Sequence, residues 1–292
     1  MVYSYGGGNF ELQICLVYCR RKCYLHGLHS RQNLILKMTT WIETQFSLKG
    51  KRALVTGASK GIGAEIAIAM SRAGAEVILL GRTRDSLNGT EQLISQSGGM
   101  VTKIQCDLSD SQSVAAIIPD IERAAPDILV NNAGTIIREN AIDVSMQEWN
   151  KVLQTNVTAL FQFSQAAAKS MLIKGEGRII NIASLLSFQG GIRVPAYAAS
   201  KHAVACLTNA LANEWSSQGI TVNAIAPGYI ETDNTETLRK DPVRSTAILD
   251  RIPMQRWGTA SDISGVAVFL AAPASRYISG EILVVDGGWM AR

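Results

Sequence analysis

Tyr197 and Lys201 stand four residues apart, and Ser184 lies thirteen residues before the tyrosine. A phenol titrates near 10 and is a poor base at neutral pH unless a neighbouring cation favours its phenolate. Four residues is about one helical turn, so Lys201 shares a face with Tyr197 and can supply that cation. Tyr197 is then equipped to take a proton from an alcohol or to return one to a carbonyl oxygen. The Ser184 hydroxyl would hydrogen-bond the same oxygen and steady the charge developing on it. Taken singly these residues have plain structural readings. Tyr-x-x-x-Lys is a solvated pair on many helices, and Ser184 could be a strand-end hydroxyl.

A second constellation lies toward the N-terminus. Gly57, Gly61 and Gly63 follow the short apolar run Lys51 to Thr56, and Ile66, Ala67, Ala69 and Met70 then recur at helical spacing. Strand, glycine loop and helix form the context in which such a motif cradles a dinucleotide. Gly57 permits the tight turn, Gly61 lets backbone amides approach a pyrophosphate, and Gly63 allows close packing of helix on strand. The helix N-terminus favours the anion. The pattern then repeats. Residues 76–81, 101–107, 127–132, 177–184, 220–226 and 281–285 read as strands, separated by helical stretches near 84–97, 110–123, 146–174, 196–217 and 260–271. This alternation predicts an α/β fold: one doubly wound, Rossmann-type parallel sheet of about seven strands with helices on both faces. Asp107, Asn131 to Gly134, Ser184 and Pro227-Gly228 fall at strand ends, where ligands bind in such folds.

From about Ser47 to Arg292 the chain resembles the short-chain dehydrogenase/reductase family. The resemblance rests on Thr56 to Gly63, Asn131-Asn132-Ala133-Gly134, Asn156, Ser184, Tyr197-x-x-x-Lys201 and Pro227-Gly228, in the family's order and spacing. It implies a catalytic set of Asn156, Ser184, Tyr197 and Lys201, with Asn156 holding a water in a proton relay. It implies a nicotinamide cofactor bound by Gly57, Ser59, Lys60, Gly61, Ile62 and Gly63, and by Asp107 and Leu108 at the adenine. Asn132, Ala133 and Gly134 would line the adenosine side. Tyr197, Lys201, Pro227, Gly228, Ile230 and Thr232 would surround the nicotinamide half. Asp107 has a second reading, as the cap of the following helix.

The second strand ends Gly81-Arg82-Thr83-Arg84, with no carboxylate until Asp85. Arg82 suits the 2′-phosphate of NADP(H), and Lys60 is placed to help, so NADP(H) is favoured over NAD(H). Within the family, Leu186 to Pro195, Asn223 to Tyr229, Asp233 to Thr235, Ile248 to Pro253 and Arg256-Trp257-Gly258 resemble enzymes of deoxy-ketogluconate-type sugar acids. A carboxylate substrate needs a cation, and Arg193 is the first candidate, with Arg138 and Gln189 beside it. Arg239, Arg251, Arg256 and Trp257 border the same region. A 3-oxoacyl thioester or another ketone is the alternative substrate, and a cofactor-binding scaffold without turnover is disfavoured because both Tyr197 and Lys201 are present. Residues 229–258 read as a lid of short amphipathic helices. The resemblance also implies a homotetramer built on the helices near 146–174 and 196–217 and on the Trp289 tail.

The net charge is +4. Much of it lies in residues 1–37, where Arg20, Arg21, Lys22, Arg31 and Lys37 face only Glu11. The remainder is close to neutral, so neither composition nor motif supports nucleic-acid binding. No apolar run is long enough for a bilayer. Cys106 and Cys206, the only cysteines of the body, suit a reducing cytoplasm. Residues 1–37 fall outside the resemblance. Their Cys15, Cys19, Cys23, His26 and His29 lack the usual zinc spacing, and no metal is expected. A disordered tail, a mitochondrial presequence and a true start at Met38 are the readings open for this extension, the first and last preferred. The domain is drawn as 38–292.

Overall fold

The computed structural model describes residues 40–292. Thr44–Arg292 group into one unit, and Met1–Glu43 group apart, of which residues 40–43 are helical. The three cysteines and two histidines of the extension lie outside the described residues.

The strands are β1 (Arg52–Thr56), β2 (Glu76–Gly81), β3 (Val101–Gln105), β4 (Ile128–Asn131), β5 (Gly177–Ile182), β6 (Ile220–Pro227) and β7 (Ile282–Val285). They form one seven-stranded sheet in the order β3-β2-β1-β4-β5-β6-β7, with every pair parallel. The chain runs outward from β1 to β3, then returns to the other side of β1 at β4. That reversal opens a crevice at the carboxyl ends of β1 and β4, the place where this architecture binds ligands.

The helices are α1 (Gly61–Arg72), α2 (Asn88–Gln96), α3 (Ser111–Ala124), α4 (Met146–Leu153), α5 (Ala159–Lys174), α6 (Pro195–Trp215), α7 (Glu236–Lys240), α8 (Pro242–Arg251) and α9 (Ala260–Ala271). Burial on both faces explains why the central strands are near-continuous apolar runs. Val55, Val77, Leu79, Val130 and Ile180 pack under Ile66, Met70, Ile263 and Leu270 of α1 and α9. Leu54, Ile78, Leu80, Leu129 and Ile179 pack on the other face, under Ile121, Phe163, Met171 and Leu211 of α3, α5 and α6.

Polar side chains thread this second layer. The Asn131 amide donates to Asn181 Oδ1 at 2.9 Å and to Ser164 Oγ at 3.1 Å, and the Asn181 amide donates to Thr208 Oγ1 at 2.9 Å. All four side chains are buried, and they join β4, β5, α5 and α6. A buried polar group without a partner is costly, so such a chain fixes the register of everything attached to it.

Two elements differ from the sequence reading. Residues 146–174 are not one uniform helix: Gln154–Thr158 form a π-helical turn between α4 and α5. The helix after β3 is capped by Asp110, which accepts from the amides of Gln112 and Ser113, and not by Asp107.

Candidate active site

β1 ends in Thr56, and α1 begins at Gly61 with Lys60 as its N-cap residue and no side chain capping it. The first-turn amides are left for an acceptor from outside. The loop is held tightly. Gly57 has φ +65°, and a Cβ on Gly63 would stand 2.3 Å from both Gly57 O and Asn132 Nδ2. The Asn132 amide donates to Thr56 O at 2.9 Å and Gly57 O at 3.1 Å, while Thr56 Oγ1 accepts from Asn132 N and Ala133 N, both at 3.0 Å. Asn132, just beyond β4, therefore clasps the glycine loop through its side-chain amide. Gly61 is the open member, its Cβ position 3.5 Å from Thr232 Cγ2. Glycines that admit no side chain, uncapped amides and exposed Lys60 and Arg82 together fit a dinucleotide.

The other predicted cofactor residues divide into surface and support. Arg82 Nε lies 3.8 Å from Asp107 Oδ2. Desolvation pushes the Asp107 carboxyl up, but hydrogen bonds from Ser109 and the charges of Arg82 and Lys151 outweigh it, and the net shift is downward. Leu108 and Ile230 bury their side chains in the two main core layers, so only their backbone is left for a ligand. Ile62 packs against the core, and Ser59 lies half-buried in the loop. Gly228 packs directly on Asp286 just beyond Pro227, the last residue of β6.

The candidate catalytic residues converge at the carboxyl end of β5. Ser184 follows β5 and caps a 3-10 turn by accepting from Leu186 N at 3.2 Å. Pro195 starts α6, whose first turn carries Tyr197. Tyr197 is half-buried, and Ser184 lies near enough to its hydroxyl to favour the phenolate. Lys201 Nζ sits 5.6 Å from the centroid of the Tyr197 ring and donates to Ile182 O at 2.6 Å. Only 4% of Lys201 is exposed, and burial pushes its ammonium down to about 8. Asn156 lies inside the π turn, where the extra residue turns it inward. Its amide donates to Thr135 O at 2.9 Å and Ser200 Oγ at 3.0 Å, and its Oδ1 accepts from Thr135 N at 2.8 Å. Both amide hydrogens are thus committed. A Cβ on Gly134 would lie 3.4 Å from Asn156 Oδ1 and 3.8 Å from Lys201 Nζ, so glycine keeps the space between those groups open.

Without the cofactor's charge, the influences on the Tyr197 hydroxyl are its burial, Ser184 and Arg138 and do not include Lys201. Burial pushes the Tyr197 hydroxyl up, and the partial relief comes from Ser184 and from the charge of Arg138.

Arg138 thus has a charge that reaches the site, and it also donates to Asn234 O at 2.8 Å. Arg193 adopts φ +62° and lies 3.8 Å from Glu139, and Gln189 is half-buried on the same loop. The remaining arginines are engaged elsewhere. Arg256 forms two 2.8 Å bonds to Asp262, Arg251 stacks 4.0 Å from the Trp289 ring, and Arg239 donates to Thr232 O. Trp257 is buried edge-on against Tyr229, in a cluster with Ile248, Ile252, Leu185 and Trp289. That cluster seats α7 and α8 on the body. Trp257 is lid core and not a ring for substrate, and the Trp289 ring is packed within its own chain. Sequence reasoning missed Thr135, Ser200 and Asp233. Ser200 receives the Asn156 amide and donates to Tyr197 O at 2.7 Å; the only sequence trace of this is its position beside Lys201.

A family model described as enoyl-(acyl carrier protein) reductase matches residues 57–290. The chain is 53% identical to the 2-dehydro-3-deoxy-D-gluconate 5-dehydrogenase of Bacillus subtilis, over 86% of this chain and 99% of that protein. The chain belongs to the short-chain dehydrogenase/reductase family. It is a nicotinamide-dependent oxidoreductase acting on CH–OH groups. Among solved structures, a protein of Agrobacterium tumefaciens with bound NADP is 52% identical, with a TM-score of 0.81 over 85% of this chain and 99% of that one. A gluconate 5-dehydrogenase of Burkholderia cenocepacia, in complex with NADP and tartrate, is 34% identical, with a TM-score of 0.82 over 86% of this chain and 99% of that one. Among the described residues of this oxidoreductase, no helix is long and apolar enough to cross a membrane.

Proposed function

We propose that this oxidoreductase moves a hydride between NADP(H), taken in preference to NAD(H), and the secondary alcohol or ketone of a deoxy-ketogluconate-type sugar acid. The observation that carries the reading is the convergence of Ser184, Tyr197 and buried Lys201 at the carboxyl end of β5, with Lys201 Nζ 5.6 Å from the Tyr197 ring and Ser184 close enough to the Tyr197 hydroxyl to lower its pKa. The nicotinamide supplies or accepts the hydride when bound. Tyr197 gives its proton to the carbonyl oxygen in reduction and takes it back in oxidation. Ser184 Oγ holds that same oxygen and offsets its developing charge. Because burial keeps the Tyr197 hydroxyl protonated, the free enzyme stands ready as an acid; as a base it needs the Lys201 ammonium and the cofactor's positive charge beside it. Asn156 fixes Thr135 and Ser200, and its Oδ1 borders the Gly134 gap that leads to Lys201.

The sugar-acid reading is supported by the names of the relatives and by Arg138, whose charge is felt at Tyr197 and which would receive a carboxylate, with Arg193 and Gln189 lining the same loops. The preference for NADP(H) is supported by relatives crystallised with NADP and by Lys60 and Arg82. A 3-oxoacyl thioester is the second reading, supported by 39% identity to a protein of Vibrio cholerae named 3-oxoacyl-(acyl-carrier-protein) reductase. A homotetramer resting on the outer faces of α5 and α6 completes the proposal.

Initial rates with NADPH and with NADH, over a panel of keto-sugar acids and 3-oxoacyl thioesters, test the reading. Turnover of a keto-sugar acid is expected. Thioesters turned over alone would overturn the substrate. Tyr197→Phe should lower kcat about 10²- to 10⁴-fold with cofactor affinity retained, and unchanged turnover would remove Tyr197 from the mechanism.

A further inference from the structure

Lys60 and Asp233 are far apart in sequence and joined by a salt bridge across the mouth of the cofactor loop. Lys60 is the N-cap residue of α1. Asp233 opens the 3-10 turn that follows Thr232, whose methyl group is the neighbour nearest the open side of Gly61. The pair therefore runs from the glycine loop to the first turn of the lid. The second cation assigned to the 2′-phosphate is held in the same manner, Arg82 standing 3.8 Å from Asp107. Each basic group meant for the cofactor has an internal carboxylate beside it.

We propose, resting on the NADP(H) reading above, that Asp233 sets the cofactor preference of this enzyme by competing with the 2′-phosphate for Lys60. Both partners are largely exposed, with 71% and 66% of their side chains accessible. Such pairs are weak and exchange readily. A phosphate monoester carries close to two negative charges and three acceptor oxygens, so it displaces a single carboxylate from the lysine. A dinucleotide without that phosphate gives Lys60 nothing to exchange for, and the pair stays closed. The lid turn keeps its other anchors throughout: Thr235 Oγ1 donates to Ile230 O at 2.7 Å, and Arg138 donates to Asn234 O at 2.8 Å. Asp233 is thus a specificity-tuning residue that handicaps NADP(H) more than NAD(H).

Calorimetric titration of the full chain with NADP+ and NAD+ tests this, using Asp233→Asn, Lys60→Met and the double variant. Asp233→Asn should tighten NADP+ about two- to fivefold, with NAD+ affinity changing less, and the gain should vanish in the Lys60→Met background. Asp233→Ser is expected to repeat the result if the asparagine disturbs the turn. Equal tightening of both cofactors, or a gain that survives without Lys60, overturns the exchange and makes Asp233 only a general negative field. If Lys60→Met lowers the NADP+ preference while Asp233→Asn moves nothing, the exchange fails alone. If Lys60→Met leaves the preference unchanged, Lys60 does not hold the phosphate, and its part in the NADP(H) reading falls too.

Discussion

Lys201 is the residue on which burial acts most plainly. Its ammonium ordinarily titrates at 10.5 and is pushed down to about 8 by desolvation. The folded state therefore binds the lysine proton less tightly than the unfolded chain, and below pH 8 the buried charge costs stability. Between pH 8 and 10.5 the unfolded chain holds the proton that the folded one has released, so stability rises with pH through that window. Relative to Lys201→Met, the wild type should gain about 2 kcal/mol between pH 7 and 10, read from urea unfolding at each pH. A difference that stays flat would mean the ammonium is solvated in the folded protein. The type and spacing of Tyr197 and Lys201 were legible in the sequence because a helix turn fixes which side chains share a face. The direction of the lysine's hydrogen bond was not, because Ile182 O belongs to a strand nineteen residues away. The Lys60–Asp233 pair was hidden for the same reason, 173 residues separating its ends.

At the scale of elements, the glycine loop shows how tightly backbone can be packed around a ligand site. Gly63→Ala would drive a Cβ to 2.3 Å from Gly57 O, a backbone atom that has no easy way to move. The variant should lose about 1–3 kcal/mol of stability and bind cofactor at least tenfold more weakly, by unfolding and by fluorescence titration. Gly265→Ala in α9, where nothing lies within 4 Å, should instead gain about 0.5–1 kcal/mol. Equal effects would mean that helix propensity, not contact, governs both sites. Strands were legible because burial on both faces leaves a continuous apolar run. The π turn at Gln154–Thr158 was not, since one extra residue does not break the helical pattern of 146–174 but does turn Asn156 inward. Likewise the sequence offers Asp107 as the cap of α3, but the path of the chain after β3 gives that place to Asp110, three residues on.

For the whole molecule, the sheet, both core layers and the candidate site lie within Thr44–Arg292, and the B. subtilis relative is matched over 99% of its length by 86% of this chain. A chain beginning at Met38 is therefore expected to keep kcat and KM within about twofold, measured beside the full chain. A larger loss would assign residues 1–37 a part in turnover. The buried chain Asn131–Asn181–Thr208 with Ser164 joins the strands and helices that carry the candidate proton-transfer groups. The groups proposed to choose between ligands, Lys60, Asp233, Arg82 and Arg193, sit instead on exposed loops. That separation makes the scaffold evolvable: descendants of such a chain can exchange one cofactor or substrate for another through surface substitutions while inheriting the reaction chemistry intact.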